Sequence, residues 1–131
     1  MTNHNSYPQE PPIEINLKRI FEPSSQEDGF RVLVDRLWPR GLKKSEADVD
    51  LWLREIAPST ELRKWFNHEP ERWAEFVEDY NFQLKKNEKI AAELITLIKV
   101  HKKVSLLYAA KDEKYNHALV LKSYLDKSIE V

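Results

Sequence analysis

The chain has 131 residues, a mass of 15.6 kDa, and 21 basic against 22 acidic side chains. That length suits one compact core, and the near balance of charge excludes a whole-molecule pull toward nucleic acid or anionic membrane. The absence of Cys excludes a disulfide framework, a thiolate nucleophile and cysteine metal sites.

Residues 1–12 are polar and proline-bearing and read as a flexible N-terminal arm, leaving 13–131 as a single α/β domain. Ile13, Ile15 and Leu17 alternate with polar residues, which predicts a half-solvated strand over 13–21. Pro23, two serines and Asp28-Gly29 mark 22–29 as a loop, too brief for an ordinary helical crossover. The sequence therefore leaves the relative direction of the first two strands open. Phe30 to Leu37 contains Val32-Leu33-Val34, the run expected of a strand buried on both faces.

Four helical patterns follow. Ser45 with Asp48 resembles a capping box, and Val49, Trp52, Leu53 and Ile56 recur at helical spacing up to Pro58. Ser59 is placed to cap a helix showing Leu62, Trp65 and Phe66 on one side. Pro70 suits the first position of a longer helix, whose apolar stripe is Trp73, Phe76, Val77, Tyr80 and Leu84. Asn87 is placed to cap a helix with Ile90, Ala91, Leu94, Leu97 and Ile98 inside. Val104 to Ala110 then reads as a second buried strand, and Asn116 as the cap of a last helix. The expected fold class is α/β: a small sheet with helices packed on its faces and a helical insertion between the second and last strands.

Two glycines, Gly29 and Gly41, are too few for a dinucleotide fingerprint or a phosphate loop. No His pair has the spacing of a helical zinc site. No cofactor or metal is expected. A different site follows from the rule that ligands of open α/β sheets lie beyond the carboxyl ends of the strands. One such end carries Asp35, Arg36 and Arg40, and the other carries Lys111 with Asn116-His117 at a helix start. Arg31, Arg36, Arg40, Lys43 and Lys44 against Asp35 give this stretch a local excess of positive charge.

If the two strands are neighbours, Arg36, Arg40, Lys111 and Asn116 would surround a small anion or phosphate, while Asp35 and His117 would manage protons. An equally simple reading makes Asp35-Arg36 a structural ion pair to Glu55 or Glu61, and His117 a helix-start residue bonded to a carbonyl.

The segments LVDRLWPRG (33–41), LWLREIAPSTELRKWFNHEPERW (51–73) and LLYAAKDEKYNHA (106–118) resemble the YeaO-like family of small, mostly bacterial proteins, a domain of unknown function. The resemblance implies an α/β fold and a cytoplasmic protein, and it supplies no activity. Longer members of the wider family carry a Cys-His-Arg triplet where this chain has Asn116-His117-Ala118, so only the histidine corresponds.

Two functions follow as expectations. One is an enzyme on a small anionic metabolite, working at the strand ends. The other is a non-catalytic ligand-binding or protein-interaction module using the Trp-rich helical segment. No membrane partner and no nucleic acid is expected, and oligomeric state is not written in the sequence.

Overall fold

A computed structural model describes residues 11–130. The first ten positions of the expected arm lie outside the described residues. Four strands, β1 (Glu14–Arg19), β2 (Phe30–Leu33), β3 (Leu51–Trp52) and β4 (Lys103–Tyr108), form one sheet in the order β1-β4-β2-β3. Every pairing in it is parallel. The first two strands are thus not neighbours: β4 lies between them, and both run with it.

The ten residues that join β1 to β2 cross the sheet with a single 3₁₀ turn, Gln26–Asp28. Ser25 starts this turn by accepting the amide of Glu27, and Asp28 answers by accepting the amide of Ser25. The connection lies directly on β4, because the Ser105 hydroxyl donates to the Asp28 carbonyl at 2.7 Å.

Alternation along the strands creates two unlike faces. Ile15, Val32, Val34, Val104, Leu106 and Tyr108 point into the main core. That core is completed by α2 (Thr60–Phe66), α3 (Trp73–Lys86), α4 (Glu88–His101) and α5 (His117–Ile129). Tyr80, Leu84, Leu94, Ile98, Leu121 and Leu125 fill it and are almost fully buried. The opposite face holds a smaller cluster, Ile20, Leu33 and Leu107, covered by Ala47 of the short helix α1 (Lys44–Ala47) and by Trp38 and Trp52. Val32, Leu33 and Val34 are each 0% exposed, as a strand covered on both faces requires.

The expected helix from Ser45 through Ile56 is not formed. The chain leaves α1 through a left-handed Asp48, with φ 54°, and then pairs Leu51–Trp52 with Val32–Leu33. The physical reason is the open edge of buried β2, whose backbone polar groups need partners. Asp50 and Leu53 donate their amides to the carbonyls of Arg31 and Leu33, and the Asp50 carboxylate accepts the Arg31 amide at 2.8 Å. Ladder formation overrides the helical spacing, and the insertion between β2 and β4 contains a strand.

The other caps follow the sequence more closely. Ser59 accepts the Leu62 amide at 3.1 Å, and Pro70 opens the turn leading into α3. Asn87 precedes α4, but its side chain donates to the Glu55 carbonyl and makes no cap bond.

Candidate functional site

β2 and β4 are adjacent and parallel, so the loops after them leave the same edge of the sheet. β2 is shorter than the sequence pattern suggests because Asp35 replaces part of the ladder: its Oδ2 accepts the Ala109 amide at 3.0 Å. From the other strand, the loop 109–116 returns into α5, which starts at His117. The two loops therefore bring Asp35 and His117 together. His117 Nε2 lies 3.3 Å from Asp35 Oδ1 and 2.9 Å from the Val34 carbonyl oxygen. A carbonyl only accepts, so Nε2 carries the proton and donates it.

Both side chains are mostly buried, at 16% and 15% exposure, and Tyr80 packs edge-on to the imidazole with ring centres 6.2 Å apart. Asp35 Oδ1 is buried without a hydrogen-bond partner among the described residues. Burial pushes the Asp35 carboxyl above its ordinary value, against the opposing influence of His117, the Ala109 amide and Arg63. Burial likewise pushes the His117 imidazole down, although Asp35 and the Val34 carbonyl favour its charged form. Both shifts have one cause: a charge in this setting loses its water. Tyr80 donates to the Ile56 carbonyl at 2.7 Å, and its burial pushes the phenol far up, so it is a fixed neutral wall behind the imidazole.

The remaining candidates are placed as follows. Arg36 donates from Nε to the Pro58 carbonyl at 3.1 Å and from Nη2 to the Ala57 carbonyl at 2.9 Å. It ties the loop after β2 to the start of α2 through backbone carbonyls, and among the described residues neither Glu55 nor Glu61 pairs with it. Asn116 is 3% exposed and caps α5, with Oδ1 accepting the Leu119 amide and Nδ2 donating to the Asp112 carbonyl. Arg40 and Lys111 are exposed.

The local positive excess does not form one patch. Arg31 is 3% exposed and lies at the opposite end of β2, bonded to Asp28 and to the carbonyls of Ala47 and Asp48. Sequence reasoning missed Arg63, an exposed α2 residue whose charge acts on both Asp35 and His117. A cation on a solvated helix face carries no signal of that proximity.

Among the described residues, no three His, Asp or Glu converge as a metal site, and no helix is long and apolar enough to cross a membrane. The four tryptophans are all half-buried. Trp38 donates to the Leu42 carbonyl and Trp52 to the Asp35 carbonyl, which fixes the loop after β2 from its outer side.

These features define a small parallel α/β protein that holds a buried carboxylate–imidazole pair where its two central strands end. The chain belongs to the DUF488 family: residues 14–131 match DUF488-N3i, described as an inactive DUF488-N3 subclade. It is similar to the uncharacterized protein YeaO of Escherichia coli K12, with 46% identity over 113 residues, covering 86% of this chain and 97% of that protein. It is also similar to the uncharacterized protein Rv3073c of Mycobacterium tuberculosis H37Rv, at 35% identity over 112 residues, covering 86% of this chain and 93% of that protein. The uncharacterized protein Mb3100c of Mycobacterium bovis matches to the same extent. No solved structure matches the chain significantly.

Proposed function

We propose that this chain is a non-catalytic, cytoplasmic binding protein, in which the Asp35–His117 pair fastens the strand ends together. One observation carries the reading: apart from Asp35 Oδ1, the polar groups a strand-end catalyst would use are engaged by the protein itself. His117 Nε2 donates to Val34, Asp35 Oδ2 accepts from Ala109, Arg36 holds two carbonyls, and Asn116 caps α5. A general acid or base needs its proton within reach of a substrate atom, whereas this imidazole directs its proton inward. The description of the matching family as inactive agrees.

The experiment compares wild type with Asp35→Asn and His117→Gln, in thermal melts and across a panel of anionic metabolites followed for turnover. The expected result is a lowered melting temperature in both variants and no turnover in any form. A variant that melts like wild type while losing a wild-type turnover overturns the reading and restores an enzyme.

A second reading concerns the ligand, and exposed cations favour it. Arg63 acts on the buried pair from α2, and Lys111 and Arg40 stand in the loops after β4 and β2. Exposed cations on these elements suit a small anion such as phosphate. Phosphate should raise the melting temperature of wild type and do so less for Arg63→Ala; equal increases in the two proteins dismiss the anion site.

A further inference from the structure

Away from the strand ends, α2 and α3 pack side by side and leave a groove of about 360 Å³ between them. Its walls include the rings of Trp65 and Phe82 and the carboxylates of Glu61, Glu75 and Asp79. No Lys or Arg lines it, and none of the three carboxylates is ion-paired among the described residues. Phe82 is 59% exposed on a helix whose other large apolar residues face the core. It also borders a second, larger groove of about 790 Å³ between α3 and α5. The Lys86 ammonium stands 5.1 Å from the Phe82 ring centre, so this ring takes a cation on one side, and the rest of the exposed ring adds little to stability where it stands.

We propose that this groove docks a basic segment of a partner protein, with a lysine or arginine side chain lying between Trp65 and Phe82. Charge complementarity selects the occupant: three carboxylates without a counter-charge repel an acidic segment and attract a cation. The rings add selectivity, since an aromatic face attracts a guanidinium or ammonium through its quadrupole. Trp65 already accepts such a group on one side, where the Arg72 guanidinium stands 5.3 Å from the ring centre. That intramolecular contact is anchored, because Arg72 also donates to the Trp65 carbonyl and pairs with Glu69 at 2.7 Å. The groove is lined by none of the residues of the strand-end pair, so its test and that of the non-catalytic reading succeed or fail separately.

The test titrates the isotope-labelled full chain with an acetylated hexa-arginine peptide, using a hexa-glutamate peptide as the control, and follows amide and indole resonances. Perturbations should concentrate on α2, α3 and the Trp65 indole N–H, with no response to the acidic peptide. Phe82→Ala should weaken binding about tenfold, the loss expected for one desolvated cation–aromatic contact. Asp79→Lys combined with Glu75→Lys should abolish it. All three positions are exposed, and circular dichroism confirms that the variants fold. Equal affinity of wild type and Phe82→Ala overturns the proposal. So do perturbations spread over the acids of α4, or an absence of binding. Sedimentation analysis covers the remaining occupant: a dimer dissolved by Phe82→Ala would make the groove a self-association surface, and the proposal would fall.

Discussion

His117 and Asp35 meet at 3.3 Å, although 82 positions separate them in the chain, because β2 and β4 end side by side. The two partners have stability consequences of opposite sign. The imidazole titrates at 6.5 when unfolded and lower when folded. Its contribution is therefore complete above 6.5 and is lost as the pH falls through the folded value. Asp35 acts in the opposite sense: its folded value is raised above 3.8, so its contribution is present below 3.8 and is lost as the pH rises through the folded value. Melting temperatures measured from pH 7.5 down to about 5 should fall for wild type, fall less for His117→Gln, and fall more steeply for Asp35→Asn. Parallel curves for all three proteins would remove the pair from the acid response.

Arg36 is a tether between the end of β2 and the start of α2, holding the carbonyls of Ala57 and Pro58. Those two residues are buried, so removing the guanidinium leaves both acceptors short of a donor. Arg36→Ala should cost about 2 kcal/mol in urea denaturation, in line with two charge-assisted hydrogen bonds in a partly solvated setting. Arg36→Lys should recover less than half, since one ammonium does not reproduce the planar fork. A loss of anion binding without a loss of stability would instead assign Arg36 to a ligand.

The positions legible from sequence were those where local chemistry and tertiary demand agree. Val32-Leu33-Val34 and Val104 to Tyr108 are apolar runs that only a covered strand satisfies, and they pair as neighbours. Ser59, Pro70 and Asn116 sit at helix starts because each suits that backbone geometry by itself. Leu51-Trp52 was illegible because its apolar spacing fits a helix and a short strand equally, and the unpaired edge of β2 decides between them. The meeting of Asp35 with His117 followed from strand adjacency. The engagement of Arg36 with two carbonyls did not, because backbone acceptors leave no mark on the sequence.

At the amino end of the same strands, Asp28 stands between two cations. Lys18 reaches both of its oxygens, at 2.9 and 3.0 Å, and Arg31 pairs with Oδ2. Burial works to raise the carboxyl, but hydrogen bonds from Lys18, Ser25 and Arg31 outweigh it, so the group stays below its ordinary value. Its contribution is therefore present above 3.8 and is lost as the pH falls through the folded value. Asp28→Asn leaves Arg31, 3% exposed, without its counter-charge and should destabilise by about 3 kcal/mol at neutral pH. The loss should shrink once the pH falls through the folded value, where wild type is protonated too. A loss that is the same at both pH values would point to packing, with the ion pair contributing nothing.

Gly29 is where the crossover turns down onto β4, and two independent constraints coincide there. Its φ of 67° with ψ of −142° is a conformation that residues with a Cβ rarely adopt. A Cβ at this position would also lie 2.2 Å from the Lys103 carbonyl oxygen, against backbone that cannot yield without breaking the start of β4. Gly41 supplies the contrast: its φ is 82°, yet a Cβ there meets nothing within 4 Å. Gly41→Ala should therefore show the conformational cost alone, about 1 kcal/mol, while Gly29→Ala should cost several times more and leave little folded protein at 37 °C. Soluble yield and urea midpoints of the two variants, made side by side, decide the point. Equal losses would mean that the ten-residue crossover lifts off β4 at little cost. The fixed placement of Asp28 over Ser105, on which the parallel course of β1 and β2 depends, would then have to be held by the Lys18 and Arg31 contacts alone.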